Sequence, residues 1–73
     1  MMFDYSKLNG RIAEKCGSRK EFAKRMGLSE RSVCLKMKSK VGWKQEEMQK
    51  ACGVLNIRSE EIPAYFFKTI VQY

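Results

Sequence analysis

Histidine is absent from the chain, and proline occurs once. Without an imidazole there is no side chain that ordinarily serves as a base near neutral pH, and no mixed cysteine–histidine zinc set. The three cysteines, Cys16, Cys34 and Cys52, are odd in number and form no C-x-x-C pair, which argues against a disulfide or metal scaffold. Cys16 and Cys52 read as small apolar residues of a reducing compartment. Cys34 has lysines nearby, but no base to activate it as a nucleophile. There is no Gly-rich phosphate loop, and no run of 18 apolar residues to span a bilayer. The opening MMFDYSKLNG lacks the basic segment and apolar stretch of a secretory leader, so the cytoplasm is the expected location. The acidic pairs Glu46–Glu47 and Glu60–Glu61 fall near expected helix starts, where the helix dipole accounts for them. A chain of 73 residues has room for one core and no deep substrate cleft. These absences argue against an enzyme, and no cofactor, metal or small-molecule ligand is expected. No internal repeat, low-complexity run or linker divides the chain, so one domain over 1–73 is expected.

What is abundant is positive charge. Fifteen Lys and Arg face eight Asp and Glu, a formal net charge of +7. Nine of those cations lie between Arg19 and Lys44, opposed there only by Glu21 and Glu30, while the rest of the chain is neutral. A surface charged only for solubility mixes its signs. Charge confined to one segment instead suggests a face for a polyanion, whose phosphates it would neutralise with release of counterions.

The hydrophobic spacing is helical. Asp4 can cap a first helix in which Tyr5, Leu8, Ile12 and Cys16 form one apolar stripe, and Gly17 ends it. Ser18 and Glu21 form a capping-box pair at the start of a second helix, from Arg19 to Met26, with Phe22, Ala23 and Met26 inward. Gly27 suits the left-handed residue that closes a helix, Leu28 turns inward, and Ser29 caps a third helix from Glu30 to Met37 or Lys38, anchored by Val33 and Met37. A basic loop, Ser39 to Gly42, and Trp43 lead to a fourth helix from Lys44 to Leu55, whose inward stripe is Met48, Ala51, Cys52 and Leu55. Trp43 reads as core rather than as a stacking surface for the sugar backbone. Asn56 closes the fourth helix and Ile57 returns to the core. A short fifth helix starts either at a Ser59 cap or at Pro63. The aromatic and β-branched stretch from Tyr65 to Tyr73 favours an extended tail. The fold class expected is all-α, four or five short helices.

The segment Ser18 to Lys40 is the informative one. Two helices joined by so short a turn cross steeply, which requires a small residue such as Ala23 at the crossing and positive φ at Gly27. Such a unit presents its second helix as a rod able to enter a DNA major groove about 12 Å wide. The stretch RKEFAKRMGLSERSV, Arg19 to Val33, resembles the helix-turn-helix domains of the phage Cro and repressor family (lambda repressor-like domains), with Ala23, Gly27, Leu28, Ser29 and Val33 on the signature positions. The order of the remaining helices is similar as well.

The resemblance implies a sequence-specific regulator that occupies double-stranded operator DNA, of the Cro repressor type. By residue-wise analogy the base readers are Glu30, Arg31, Ser32 and Leu35, with Cys34 and Lys38 at the edges. Arg31 can donate two bonds to guanine, Glu30 can accept from cytosine N4, and Leu35 can touch a thymine methyl. Glu30 has an equal reading as a dipole-stabilising carboxylate, and Leu35 as a residue packed on the following loop. Phosphate contacts are expected from Ser18 and Arg19 with the open N–H groups of the second helix, and from Lys20, Lys36, Lys38, Ser39, Lys40 and Lys44. Lys36 departs from the family, which carries a branched apolar residue there. The expectation is that the third helix rotates so that Met37 seals the core and Lys36 reaches solvent or phosphate.

Such motifs commonly bind paired half-sites roughly 34 Å apart as two-fold dimers. The candidate homodimer surface is the tail, Phe66, Phe67, Thr69, Val71 and Tyr73, with packing on the chain's own core as the equal alternative. Two other readings compete: a protein-interaction module, an antitoxin or adaptor whose basic face meets an acidic partner, and an RNA binder, disfavoured by the lack of RNA-binding signatures.

Overall fold

A computed structural model describes residues 3–69, and it is all-α. Helix α1 spans Ser6–Cys16, α2 Arg19–Met26, α3 Glu30–Met37 and α4 Gln45–Leu55; a 3₁₀ turn, Ser59–Glu61, leads directly into α5, Ile62–Phe66. The expectation of four or five short helices is met with five.

Local signals set the boundaries. The Asp4 carboxylate accepts hydrogen bonds from the Ser6 N–H at 2.9 Å and the Ser6 hydroxyl at 2.6 Å, closing the start of α1. These bonds hold its carboxyl below the ordinary aspartate value, with the Lys68 ammonium assisting against a small desolvation penalty. Gly17, at φ 84°, ends the helix. Ser18 Oγ accepts from the Glu21 N–H at 3.1 Å and Ser29 Oγ from the Ser32 N–H at 3.0 Å, so both expected caps form. Glu21 turns to Arg25 at 3.3 Å, so among the described contacts the Ser18 half of the capping-box pair is the half that forms. Asn56 closes α4 in the left-handed conformation at φ 55°, and Ile57 is buried behind it. Neither expected start of the fifth helix is met as stated: Arg58, not Ser59, is the residue before the 3₁₀ turn, and α5 starts at Ile62, with Pro63 in its first turn, where a missing N–H costs nothing.

The core joins Tyr5, Leu8 and Ile12 of the α1 region, Phe22, Ala23 and Met26 of α2, Val33 of α3, Ala51, Cys52 and Leu55 of α4, and Ile57, Tyr65 and Phe66. Trp43 packs edge-on against Phe66, ring centroids 5.3 Å apart, and against Phe22 at 6.4 Å, which places it with the core. Arg11, on α1, donates to the Leu55 carbonyl at 2.9 Å and to the Asn56 carbonyl at 3.0 Å, satisfying acceptors left open at the end of α4.

The end of the chain departs from the expected extended tail. Tyr65 and Phe66 are helical and both are buried: the turn sets the Tyr65 ring beneath the Lys7 ammonium of α1 and the Phe66 ring against Trp43. Extension begins only after Phe67. There the Asp4 N–H donates to the Lys68 carbonyl at 2.6 Å, and Phe3 bridges antiparallel to Thr69. Phe66 is therefore unavailable to a partner, and Thr69 is paired with the same chain's beginning. Phe67 is exposed, whereas Val71 and Tyr73 lie outside the described residues.

Candidate nucleic-acid interface

The α2–turn–α3 unit sets where α3 lies. Ala23 is buried at the crossing, Gly27 adopts φ 71°, and the Leu28 N–H donates to the Ala23 carbonyl at 2.9 Å, so the turn closes in the fewest residues. Among the helices α3 leans chiefly on α2, whereas α1, α2, α4 and α5 pack on one another. Of its own residues α3 buries Val33 and Lys36 alone. The rest of the rod meets solvent.

Its accessible face carries exposed Glu30 and Arg31, with Ser32, Cys34 and Leu35 half-buried beside them and exposed Lys38 just past the helix end. None of the six expected base readers is buried. Leu35 also serves the loop: its carbonyl accepts from the Lys40 N–H at 2.9 Å and the Val41 N–H at 3.4 Å. Lys20 of α2 and Lys40 and Lys44 of the loop are exposed, and Ser18 stands at the open start of α2. Arg19 is oriented rather than loose, since its Nε donates to Asn9 Oδ1 at 3.1 Å and leaves the terminal guanidinium nitrogens for another acceptor. Ser39 holds φ 60°, and its hydroxyl oxygen accepts from the Phe3 N–H at 3.4 Å. Asn9, which no motif in the sequence singles out, joins Arg19, Lys38 and Ser39 in lining one open cleft at the start of α1.

Lys36 requires a correction. It points inward, with 4 % of its surface exposed, and its ammonium sits 2.9 Å from Glu47 Oε1 and 3.1 Å from the Gly42 carbonyl. The Trp43 ring centroid lies 5.7 Å from the same nitrogen. Helix α3 does not rotate to expel it, because α4 supplies a carboxylate where the apolar stripe of α3 would otherwise bury an unpaired charge. Met37, expected as the seal, is half-buried at the edge. Burial raises the Glu47 carboxyl, but the Lys44 N–H bond and the Lys36 ammonium outweigh it and hold the group below the ordinary glutamate value. Lys36 therefore presents no charge to a phosphate in this fold.

Among the described residues, no cluster of three or more potential metal ligands occurs, and no helix is long and apolar enough to cross a membrane. The three thiols are free. Cys52 is buried, which pushes its thiol pKa up, and nearby Glu61 adds to that shift.

The family described as "Protein of unknown function (DUF739)" matches residues 1–69. The chain belongs to this DUF739 family. It is also similar to the modulator of repression (MOR) of the temperate bacteriophage TP901-1 from Lactococcus lactis, known from a solution structure. The two are 51% identical, the match covers 99% of this chain and 97% of that one, and the TM-score is 0.82. Among curated proteins nothing matches the chain. At that identity and coverage this DUF739 member and the phage protein share the arrangement of helices that brings α3 to the surface.

Proposed function

We propose that this DUF739 member is a phage or prophage regulator of transcription that binds double-stranded operator DNA with α3 in the major groove. The observation that carries the reading is the pairing of shape and charge: a rod held chiefly by α2, bearing Arg31 outward, beside exposed Lys20, Lys38, Lys40 and Lys44. The likeness to a phage modulator of repression supports a regulatory role of this kind. In this reading Arg31, Ser32, Leu35 and Glu30 meet base edges, with Cys34 and Lys38 at the margins. Ser18, Arg19, Lys20, Ser39, Lys40 and Lys44 meet phosphates. The reading includes the Cro-type mode of action expected from Arg19 to Val33, occupation of an operator by a dimer in the cytoplasm, and no enzymatic step.

Selection of bound duplexes from a random pool tests it. Arg31→Ala is expected to cost about 1 to 3 kcal/mol on the selected site and to relax preference at one base pair, whereas Lys40→Ala weakens all duplexes alike. Failure to enrich any sequence refutes the reading.

A second reading has its own support. A protein that modulates repression can act on a repressor rather than on DNA, and Val41 and Phe67 are large apolar residues exposed beside one groove. The chain would then be an adaptor whose basic surface meets an acidic protein. Weak, sequence-independent and strongly salt-dependent DNA binding would favour it.

A further inference from the structure

We propose that Lys36 is a positioning residue, which locks the basic loop from Lys38 to Lys44 to the recognition helix so that the loop's exposed cations meet phosphate in a fixed register with α3. The inference rests on the DNA-binding reading and deepens it.

The geometry is a closed chain of contacts. From α3, the Lys36 ammonium donates to the Gly42 carbonyl at 3.1 Å, in the middle of the loop. The same ammonium contacts Glu47 Oε1 at 2.9 Å, and that oxygen accepts from the Lys44 N–H at 2.8 Å, at the loop's far end. At the near end the Leu35 carbonyl accepts the N–H groups of Lys40 and Val41. The loop is thus tied at its start, middle and end to α3 or to a carboxylate paired with α3. The side chains of Lys36 and Glu47 are only 5 % and 15 % exposed, so water competes little for these bonds. Trp43, wedged between Phe66 and Phe22, lies under the ammonium and fixes the remaining side of the turn.

A fixed loop and a loose loop of equal charge differ in a specific way. Counterion release depends on how many cations are near the duplex, while register depends on where they are held. Lys36 itself is out of reach of a phosphate. Its removal should therefore leave general attraction to DNA in place and degrade discrimination.

The test is Lys36→Met, with Lys36→Met/Glu47→Gln as the companion that leaves no unpaired buried charge and keeps an acceptor for the Lys44 N–H. In whichever variant is folded by circular dichroism, the amides of Lys40, Val41 and Lys44 are expected to exchange at least about tenfold faster while α1 and α2 keep their protection. Affinity for the selected duplex is expected to fall about tenfold, with affinity for a scrambled duplex and its salt dependence unchanged. Simple destabilisation would lower both affinities by the same factor and leave their ratio intact. Wild-type protection of the loop amides in a folded variant overturns the proposal, as does an unchanged affinity ratio. A wild-type protein that prefers no duplex overturns the DNA-binding reading and the phosphate register with it, while faster loop exchange in the variant would still establish the lock.

Discussion

Removing the ammonium of Lys36 by Lys36→Ala should be among the most destabilising single changes available to the chain. The substitution strands the Glu47 carboxylate, 15 % exposed, without its counter-charge, leaves the Gly42 carbonyl without its side-chain donor, and opens space beside Trp43. Breaking a buried pair from one side costs about 3 to 5 kcal/mol. Glu47 keeps some solvent and keeps the Lys44 N–H bond, so the lower end, about 3 kcal/mol, is expected. A small domain is stable by only about 5 to 15 kcal/mol in total. With a urea dependence of about 1 kcal/mol per molar for a domain this small, the unfolding midpoint should fall by roughly 3 M. The informative contrast is Lys36→Met/Glu47→Gln, where no charge is left buried; replacing both partners of such a pair is often close to neutral. Urea unfolding followed by far-ultraviolet circular dichroism measures both. A loss below about 1 kcal/mol for Lys36→Ala would mean that the pair behaves as a solvated surface bridge, and the account of Lys36 given above would fail. With Lys36→Met and Glu47→Gln measured singly as well, a double variant as unstable as their sum would refute it equally, since the contacts would then be independent.

Three further outcomes follow from the fold. Acid should weaken the same contact: the folded Glu47 carboxyl binds protons less readily than the unfolded one, so its stabilisation is present above the ordinary glutamate range and is lost as pH falls through the folded value, a dependence that Glu47→Gln should flatten in pH-resolved unfolding. Gly27→Ala should cost about 1 kcal/mol, because φ is 71° there while the nearest atom a methyl would meet, Lys50 Nζ, is at an ordinary 3.6 Å; a thermal midpoint shift of less than about 2 °C would contradict the left-handed turn. Phe66→Ala should cost about 3 to 5 kcal/mol, and Phe67→Ala, at a residue 48 % exposed, less than about 1; if Phe67 nevertheless governs self-association, light scattering of that variant will show a change of mass where its stability shows none.

The parts of the molecule legible in the sequence are those fixed by neighbours along the chain. Ser18, Gly27 and Ser29 act on backbone groups within three to five residues, and α2 begins and ends where they place it. The parts that were not legible depend on partners far apart in sequence. Tyr65 and Phe66 have strand-forming side chains, but in a helical turn Lys7 of α1 covers the first ring and Trp43 the second, and burial outweighs a propensity that spans only about 1 kcal/mol. Asn9 and Arg19 meet only because α1 and α2 are packed, and Arg11 meets the carbonyls at the end of α4 only because α1 and α4 are. Lys36 is the sharpest case. Read alone, a lysine three residues after Val33 on an inward stripe is a charge the helix must turn away from the core, and Met37 is the natural substitute. The compensating carboxylate is on another helix, and the one hint was an acid in the first turn of α4, which the helix dipole already explained. Glu47 fills both roles, capping α4 through the Lys44 N–H and neutralising Lys36, so the residue that opens α4 also fixes the orientation of α3. The basic surface beside α3 draws its charge from exposed lysines, while the loop that carries several of them is held in place by a buried one.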